Sequence, residues 1–230
     1  MQSLLERQVE PELMLEPEQV LAYANADFSR PHEVIIESFK RVFPTSEISA
    51  TVLDLGCGPG DISFRFAEAF PKSSIIGIDG SAEMLKFAEL RRQTATADVR
   101  NRTAFVQTTM PSQQIPNLHY GAIVSNSLLH HLHDPQVLWK TIRQHAQSET
   151  LIFIADLFRP CSIAEAQRMV NLYACDEPVV LQRDFFNSLL AAFTLDEIYQ
   201  QLVENELHYL TIKNISDRHV IIYGEFQKSE

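Results

Sequence analysis

The chain has 230 residues, 45% of them apolar, which fits one globular domain or a domain that carries a small lid. Its net charge of −11 argues against a nucleic-acid partner, because phosphate binding needs a basic face. No apolar run reaches the ~18 residues that a membrane-spanning helix needs, and the glutamate-rich N-terminus lacks the layout of a secretion signal. Three unclustered cysteines fit neither a disulfide framework nor a zinc site. We therefore expect a cytoplasmic protein with a small-molecule partner; its oligomeric state is left open, with a homodimer among the alternatives.

Residues 1–45 are expected to form an N-terminal helical arm. Residues 1–16 are acidic and lack a clear hydrophobic period, which indicates a mobile or loosely helical segment. Two short helices are predicted over residues 18–26 and 32–43, separated by Ser-Arg-Pro at 29–31.

The most informative stretch is Thr-Val-Leu-Asp-Leu-Gly-Cys-Gly-Pro-Gly at residues 51–60. Residues 51–55 are β-branched or apolar apart from Asp54 and predict a buried strand. Glycines at 56, 58 and 60 remove side-chain bulk, so the backbone is able to turn sharply and lie flush against a ligand. From Asp61 onward the apolar residues recur every three to four positions, as in a helix. A strand, a glycine turn and a helix N-terminus together predict a nucleotide-type pocket.

The spacing of the glycines indicates which nucleotide binds there. Dinucleotide sites use G-x-G-x-x-G, whereas this chain has G-x-G-x-G with Asp54 just before it. A carboxylate at this place would repel a pyrophosphate and suit a cationic ligand. The heptapeptide Asp-Leu-Gly-Cys-Gly-Pro-Gly resembles motif I of the class I S-adenosylmethionine-dependent methyltransferases, whose ligand carries an amino group and a sulfonium. The resemblance implies S-adenosylmethionine as cofactor and S-adenosylhomocysteine as product, with these residues of motif I in contact: Asp54, Gly56, Cys57, Gly58 and Gly60.

A second strand is predicted over residues 74–78 and ends in Asp79. In nucleotide folds a carboxylate at this place accepts both ribose hydroxyls, because an ionised carboxylate is an acceptor only. Ser81 is expected to cap the next helix. The run Gly-Ile-Asp-Gly-Ser-Ala-Glu-Met-Leu also resembles the family's motif after strand 2, which implies that Gly80 and Met84 contact the cofactor; for Met84, packing in the core is the alternative.

Residues 104–107 predict a third strand. In the resembled family an Asp that binds the adenine amino group commonly follows it, and Thr109 stands at that position here. A hydroxyl still accepts a hydrogen bond but gives up the charge-assisted contribution. Met110 is the alternative contact with the adenine ring, and the resemblance implies a further contact from Tyr23 on the N-terminal arm, for which plain packing is the alternative.

A fourth strand, residues 121–125, leads into Asn126 and three histidines at 130, 131 and 133. This segment resembles motif IV, which faces both cofactor and substrate, so Asn126 is a candidate cofactor contact. His130 and His131 are candidate catalytic residues that would take a proton from the acceptor or orient it; structural histidines are the alternative. We expect no metal, because the spacing is not i, i+4 and the sequence places no carboxylate partner beside them.

Asp134 and Pro135 predict a helix start, and residues 150–155 predict a fifth strand. An apparent insertion at residues 160–193 follows, and at this place the resembled family carries a substrate lid. Its polar or amphipathic residues are the candidates for holding substrate: Tyr173, Arg183, Asp184 and Asn187.

The end of the chain completes the expected fold. Thr194 and Glu197 form a capping box, and strands over residues 207–213 and 219–226 are joined closely enough for an antiparallel hairpin. The prediction is a single α/β domain spanning residues 1–230: a Rossmann-like, seven-stranded, mostly parallel sheet with an antiparallel last strand and helices on both faces. The resemblance covers residues 30–230, most densely 51–156.

The resulting hypothesis is methyl transfer from S-adenosylmethionine to a small molecule, chiefly by positioning an already activated methyl group. One alternative is an enzyme that modifies the sulfonium, like carboxy-S-adenosylmethionine synthase. Another is a protein that binds the cofactor without catalysis. A nicotinamide dehydrogenase is disfavoured by the glycine spacing and Asp54.

Overall fold

A seven-stranded sheet forms the centre of the molecule in the computed structural model, which describes residues 5–44 and 47–228. The strand order across the sheet is β3-β2-β1-β4-β5-β7-β6. The strands are β1 Thr51–Leu55, β2 Ile75–Asp79, β3 Thr103–Gln107, β4 Tyr120–Asn126, β5 Leu151–Leu157, β6 Thr211–Asn214 and β7 His219–Glu225.

Helices cover both faces of this sheet. Within the described ranges they are α1 Pro17–Asn25, α2 Ser29–Val42, α3 Asp61–Ala69, α4 Ala82–Thr94, α5 Ala97–Arg102, α6 Gln136–His145, α7 Ile163–Tyr173, α8 Val179–Ala191 and α9 Leu195–Glu204, with a 3-10 turn at Leu129–His131. None of the described helices combines the length and the apolarity that crossing a membrane requires.

The central strands are buried on both sides, which is why they read as continuous apolar runs. Successive side chains of a strand point to opposite faces. Leu53 therefore belongs to a cluster built around Trp139 of α6, while its neighbour Val52 belongs to a cluster built around Phe39 of α2. All seven residues of β5 are buried. Such strands need helices on both faces, as parallel sheets do.

The predicted fold class is confirmed. β1 pairs in parallel with β2 and β4, and β7 lies antiparallel between β5 and β6. The Thr194–Glu197 capping box is present at the start of α9. Since the carboxyl ends of the parallel strands share one edge, the loops after β1, β2, β4 and β5 meet there.

Several local predictions were wrong. Ser29–Pro31 does not separate two helices but forms the first turn of α2, where a proline is tolerated. Helix α6 begins at Gln136, whose N–H is bound by the Asp134 carboxylate, so the cap lies one residue later than expected. The first hairpin strand begins at Thr211 instead of residue 207, because Leu207 and Leu210 turn into the core. Helices α5 and α8 were not predicted.

The expectation of a mobile or loosely helical segment at residues 1–16 is corrected for its described part, while residues 1–4 lie outside the described residues. Residues 5–16 contain no helix and run along the carboxyl edge of the sheet. The Arg7 guanidinium donates to the carbonyls of Ala191, His130 and Leu132. The Ser81 hydroxyl donates to the Met14 carbonyl. Polar contacts that the sequence did not signal therefore hold this segment in place.

The chain between β5 and α9 leaves the domain and returns to it at one point. Phe158 and Phe193 form a parallel bridge, and the Arg159 N–H donates to the Phe193 carbonyl. Helices α7 and α8, which lie between these residues, pack on each other around Met169 and Leu189 in a small cluster of their own.

Candidate cofactor and acceptor site

The glycine loop after β1 lies at the carboxyl edge of the sheet. Gly56 and Gly58 have φ of 70° and 51°, in the left-handed region that side chains disfavour. A Cβ on Gly56 would lie 2.7 Å from the Leu128 side chain, whereas one on Gly58 would meet nothing within 4 Å. Gly60 caps the N-terminus of α3. The loop therefore packs tightly against the β4 side at its start and leaves open space at its middle.

Asp79 ties the end of β2 to this loop. Its Oδ2 accepts the Gly58 N–H at 2.8 Å, and its Oδ1 accepts the Ser81 N–H at 2.7 Å. Burial raises the pKa of Asp79, while these two hydrogen bonds lower it to a smaller extent. Because each carboxylate oxygen has two lone pairs, both oxygens keep the capacity to accept one more hydrogen bond.

Asp54 lies beneath the loop, where it is 1% exposed. Its Oδ2 accepts the Ser63 hydroxyl at 2.6 Å. Burial raises the pKa of Asp54 to about 7, and the nearby charge of Asp79 contributes in the same direction. The neighbouring Cys57 is also buried, and burial raises the pKa of its thiol.

The residues predicted to surround the adenine ring lie on the β2–β3 side. Met84 is buried on the first turn of α4, and its N–H is bound by Ser81 Oγ. Thr109 is exposed and lies beside Gly80, where a Cβ would be 3.1 Å from the Thr109 methyl. Met110 packs partly buried against the core. Gly80 is also covered by Leu13 of the N-terminal segment, at 2.7 Å from the Cβ position.

Tyr23 of α1 lies close to the same edge. Burial raises the pKa of its hydroxyl to about 12, and the charges of Asp61 and Asp79 add to that shift. Its ring centroid is 4.9 Å from that of Phe28. The loop, Asp79 and Tyr23 therefore share one region, although they come from three separate elements.

The ends of β4 and β5 build the neighbouring region. Asn126 is the last residue of β4 and is half-buried. His130 Nδ1–H donates to Asp156 Oδ1 at 2.5 Å, and Asp156 Oδ2 accepts the Leu129 N–H at 2.7 Å. Burial opposes the charged forms of both partners, but their mutual attraction prevails, so the pKa of His130 is raised and that of Asp156 is lowered. Asp156, at the end of β5, was not predicted as a site residue.

His131 lies beside His130, with ring centroids 4.2 Å apart. Burial lowers the pKa of His131 to about 3, and the charge of His130 adds to the shift. Its Nδ1 is buried and finds no hydrogen-bond partner among residues 5–44 and 47–228. His133, by contrast, is exposed, and its ring bonds to the Glu10 carbonyl.

Glu10 also lies in this region, although it precedes His130 by 120 positions in the sequence. Its Oε1 is 3.3 Å from His131 Nδ1 and 3.7 Å from His130 Nε2, and it accepts the Ser188 hydroxyl at 3.0 Å. Burial raises the pKa of Glu10, although the charge of His130 opposes the shift. In the sequence Glu10 is one of many N-terminal acidic residues, and no signal there distinguished it.

The four residues predicted to hold substrate do not lie together. Asp184 is close enough to Glu10 for its charge to raise the pKa of Glu10. Arg183 is exposed, pairs with Asp184 at 3.2 Å and lines a groove of 370 Å³ between α1 and α8. Asn187 is exposed on α8. Tyr173 lies apart, with its hydroxyl donating to Asp217 and its ring under the Arg218 guanidinium.

Comparison with known proteins finds similarity to methyltransferases. Residues 53–152 match the sequence profile of a family described as a methyltransferase domain. The trans-aconitate 2-methyltransferase of Azoarcus sp. is 50% identical over 40 residues, which are 17% of this chain and 16% of that protein. The malonyl-[acyl-carrier protein] O-methyltransferase of Bacillus cereus is 26% identical over 137 residues, 58% of this chain and 46% of that one. The match thus spans less than half the length of these curated relatives.

Solved structures share the fold over most of the chain. The plantazolicin methyltransferase BpumL, solved with a pentazolic desmethylPZN analog and SAH, has a TM-score of 0.67 at 16% identity and covers 91% of this chain and 90% of its own. A SAM-dependent methyltransferase from Aquifex aeolicus has a TM-score of 0.62 at 14% identity, covering 91% and 98%. Residues 53–152 thus match a methyltransferase domain, and the fold over most of the chain is similar to that of S-adenosylmethionine-dependent methyltransferases.

Proposed function

We propose that the protein transfers the methyl group of S-adenosylmethionine to a small-molecule acceptor and releases S-adenosylhomocysteine. The observation that carries the proposal is the joining of Asp79 to the glycine loop through the Gly58 N–H. This contact brings a ribose-binding carboxylate and an open stretch of glycine backbone into one cleft.

On this proposal, Asp79 accepts the two ribose hydroxyls with the lone pairs that its backbone contacts leave free. The loop from Gly56 to Gly60 passes along the methionine part of the cofactor, with Cys57 beneath it. Asp54 adds negative charge below the loop for the amino group, and Asn126 closes the cleft from the β4 side. The adenine ring lies among the side chains of the β2–β3 side and α1: Tyr23, Gly80, Met84, Thr109 and Met110.

Methyl transfer requires little of the protein beyond alignment of the sulfur, the methyl group and the acceptor atom. The sulfur–methyl bond breaks, the sulfur keeps the electron pair and becomes a neutral thioether, and the acceptor forms the new bond to carbon. Well-oriented positioning supplies on the order of 7–11 kcal/mol of barrier reduction. The N-terminal segment and α8 would exclude water from the acceptor side, which strengthens the electrostatics there.

His130 and His131 would face the acceptor. His130, whose Nδ1 is held by Asp156, is the better placed of the two to take the proton of a hydroxyl or an acidic carbon. Burial lowers the pKa of His131 to about 3, so His131 is a weak base that would orient the acceptor. For an amine acceptor, Asp184 beside Glu10 supplies the negative charge that would orient it. Arg183 and Asn187 would act at the rim, and nothing in the position of Tyr173 supports a contact with substrate.

We further propose that residues 1–230 act as one domain in a reducing cytoplasm, with residues 1–45 as an N-terminal arm and residues 160–193 as a lid over the acceptor. Phe158 and Phe193 would form the base of that lid. All three cysteines are free, and two of them, Cys161 and Cys175, are exposed, which suits a reducing compartment.

The test uses the purified chain with methyl-labelled S-adenosylmethionine and extracts of small metabolites. The expected result is S-adenosylhomocysteine together with label in a small molecule, and a cofactor of unmodified mass when the retained ligand is weighed. A carboxylated cofactor would indicate a sulfonium-modifying enzyme instead. Tight binding without product in any acceptor pool would indicate a non-catalytic cofactor-binding protein.

A further inference from the structure

Three donor atoms from two distant parts of the chain converge on one small space. Glu10, His130 and His131 each place one potential ligand atom there, and these atoms lie within 4.8 Å of one another. Glu10 Oε1 is 3.3 Å from His131 Nδ1 and 3.7 Å from His130 Nε2. Two histidines and one carboxylate form a donor set that zinc and other first-row divalent metals use in proteins.

The hydrogen bond behind His130 fixes which of its nitrogens faces this space. Asp156 is an acceptor, so once His130 gives up one proton to a bound metal, the remaining proton stays on Nδ1, which is 2.5 Å from Asp156 Oδ1. The lone pair is then on Nε2 and points toward Glu10. A carboxylate that holds the far nitrogen of a histidine is the arrangement commonly found behind metal-binding histidines.

His131 brings a second lone pair that the protein leaves unused. Its Nδ1 is buried and has no hydrogen-bond partner within the described part of the chain. The buried Asp184 Oδ2 also has no hydrogen-bond partner within the described part of the chain, and Asp184 is close enough to Glu10 to interact with it electrostatically. A buried acceptor without a partner costs free energy, so this arrangement favours a bound cation.

The neighbouring arginines do not occupy that position. Arg7 directs its guanidinium to the carbonyls of Ala191, His130 and Leu132. Arg183 is exposed and bonds to Asp184 Oδ1, the oxygen opposite the unpartnered one. Neither arginine therefore bonds to the donor atoms of the three proposed ligands, of which Glu10 Oε1 also accepts the Ser188 hydroxyl at 3.0 Å.

We propose that Glu10, His130 and His131 bind one divalent transition-metal ion, with Zn²⁺ as the representative case. Tetrahedral zinc with bonds of about 2.0–2.1 Å separates its donors by about 3.4 Å. Two of the observed separations, 3.3 Å and 3.7 Å, are close to that value. Three protein ligands leave the fourth position open.

The consequence for the reaction rests on the proposed function, whereas the binding of the metal does not. An acceptor oxygen or nitrogen in the open position would be held and made more acidic by the ion. The ion would also tie residues 5–16 to the turn at Leu129–His131. Because the ion uses the lone pairs of both histidines, metal binding and proton acceptance by His130 or His131 exclude each other.

The first experiment measures binding directly. The full chain is stripped with a chelator, dialysed and titrated with Co²⁺, whose visible absorption reports geometry and ligand type. We expect one Co²⁺ per chain, the bands of a four- or five-coordinate site, no thiolate charge-transfer band and displacement by Zn²⁺. Absence of stoichiometric binding, or a thiolate band from Cys161 or Cys175, would overturn the proposal.

Variants locate the ion. Glu10→Gln and His131→Ala should each weaken Co²⁺ binding roughly tenfold or more. Glu12→Gln, two residues along the same segment, is the matched control and should bind like the wild type. Equal affinity in Glu10→Gln and the control would also refute the site. Calorimetry with S-adenosylmethionine on the same samples keeps the two hypotheses apart, because cofactor affinity should not change when the metal site is removed.

Discussion

The proposed cofactor side and the proposed acceptor side of the cleft are built in different ways. On the cofactor side, the glycine loop and Asp79 lie within 24 consecutive residues and meet through the backbone N–H of Gly58. On the acceptor side, Glu10, His130, Asp156 and Ser188 come from four separate parts of the chain and meet through side chains. The comparison shows why the cofactor of such a protein is easier to infer than its acceptor.

The two sides also differ in charge. Asp54 and Asp79 are both carboxyls with raised pKa values, because burial outweighs the hydrogen bonds they accept. On the acceptor side, the attraction between His130 and Asp156 outweighs burial and favours their charged forms. A cationic ligand would therefore ionise the carboxyls of the first side, whereas on the second side the His130–Asp156 pair is already charged.

The largest expected effect concerns Asp54 and the pH dependence of stability. The pKa of Asp54 is raised to about 7 by burial, with Asp79 contributing, whereas an unfolded Asp ionises near about 4. Between these values the folded chain keeps a proton that the unfolded chain has lost. The protonated Asp54 side chain therefore makes its full contribution to the free energy of unfolding below about pH 4. This contribution, on the order of 4 kcal/mol, is lost as pH rises through about 7.

Denaturant unfolding from pH 4 to 8 measures this change in the free energy of unfolding. Asp54→Asn keeps an acceptor for the Ser63 hydroxyl and should remove most of the decrease in the free energy of unfolding as pH rises. Asp98→Asn, on an exposed carboxylate, is the control and should leave the curve parallel to the wild type. If the stability curve of Asp54→Asn is also parallel to that of the wild type, burial does not raise the pKa of Asp54.

The next effect tests the ribose assignment on the cofactor side. Asp79→Ala removes a charge-assisted pair of hydrogen bonds and should weaken S-adenosylmethionine binding by ~1.5–3 kcal/mol. Isothermal calorimetry measures it, with the thermal midpoint recorded to separate binding from folding, because Asp79 also holds the Gly58 and Ser81 N–H groups. Unchanged affinity would remove Asp79 from the site.

A change on the acceptor side should leave cofactor affinity alone. Arg7→Ala removes three hydrogen bonds to carbonyls and should loosen residues 5–16 by about 1.5 kcal/mol. Limited proteolysis within that segment should become roughly tenfold faster. Arg30→Ala, an exposed residue on α2, is the control. A large loss of cofactor affinity in Arg7→Ala would show that the two sides are coupled.

The smallest expected effect concerns Thr109, the position at which the resembled family carries an Asp. Thr109→Asp adds a charge-assisted acceptor beside Gly80 and should strengthen S-adenosylmethionine binding by ~1 kcal/mol, or about fivefold. Calorimetry against Thr108→Asp, the neighbouring hydroxyl, separates a contact with the adenine amino group from a general charge effect. Weaker binding in Thr109→Asp alone would indicate that the ring is held elsewhere, with Met110 as the nearest candidate.

The sequence alone was sufficient for the sheet, the glycine loop and the place of Asp79. These features depend on local patterns: apolar strands, glycines at fixed spacing, and a carboxylate at the end of the next strand. The Thr194–Glu197 capping box was predictable for the same reason, since both partners lie within one turn of helix. One local pattern gave a wrong prediction: Pro31 predicts a helix break, but it lies in the first turn of α2.

Only the tertiary structure decided which side chains meet on the acceptor side. Glu10 lies in a segment without hydrophobic period, yet the Arg7 contacts bring it to His130 and His131. Tyr173 and Asp184 belong to one insertion, but folding turns Tyr173 toward Asp217 and brings Asp184 toward Glu10. The physical reason is range: backbone turns and strand ends are set by neighbouring residues, whereas a cluster of side chains from distant segments exists only once the whole core has packed.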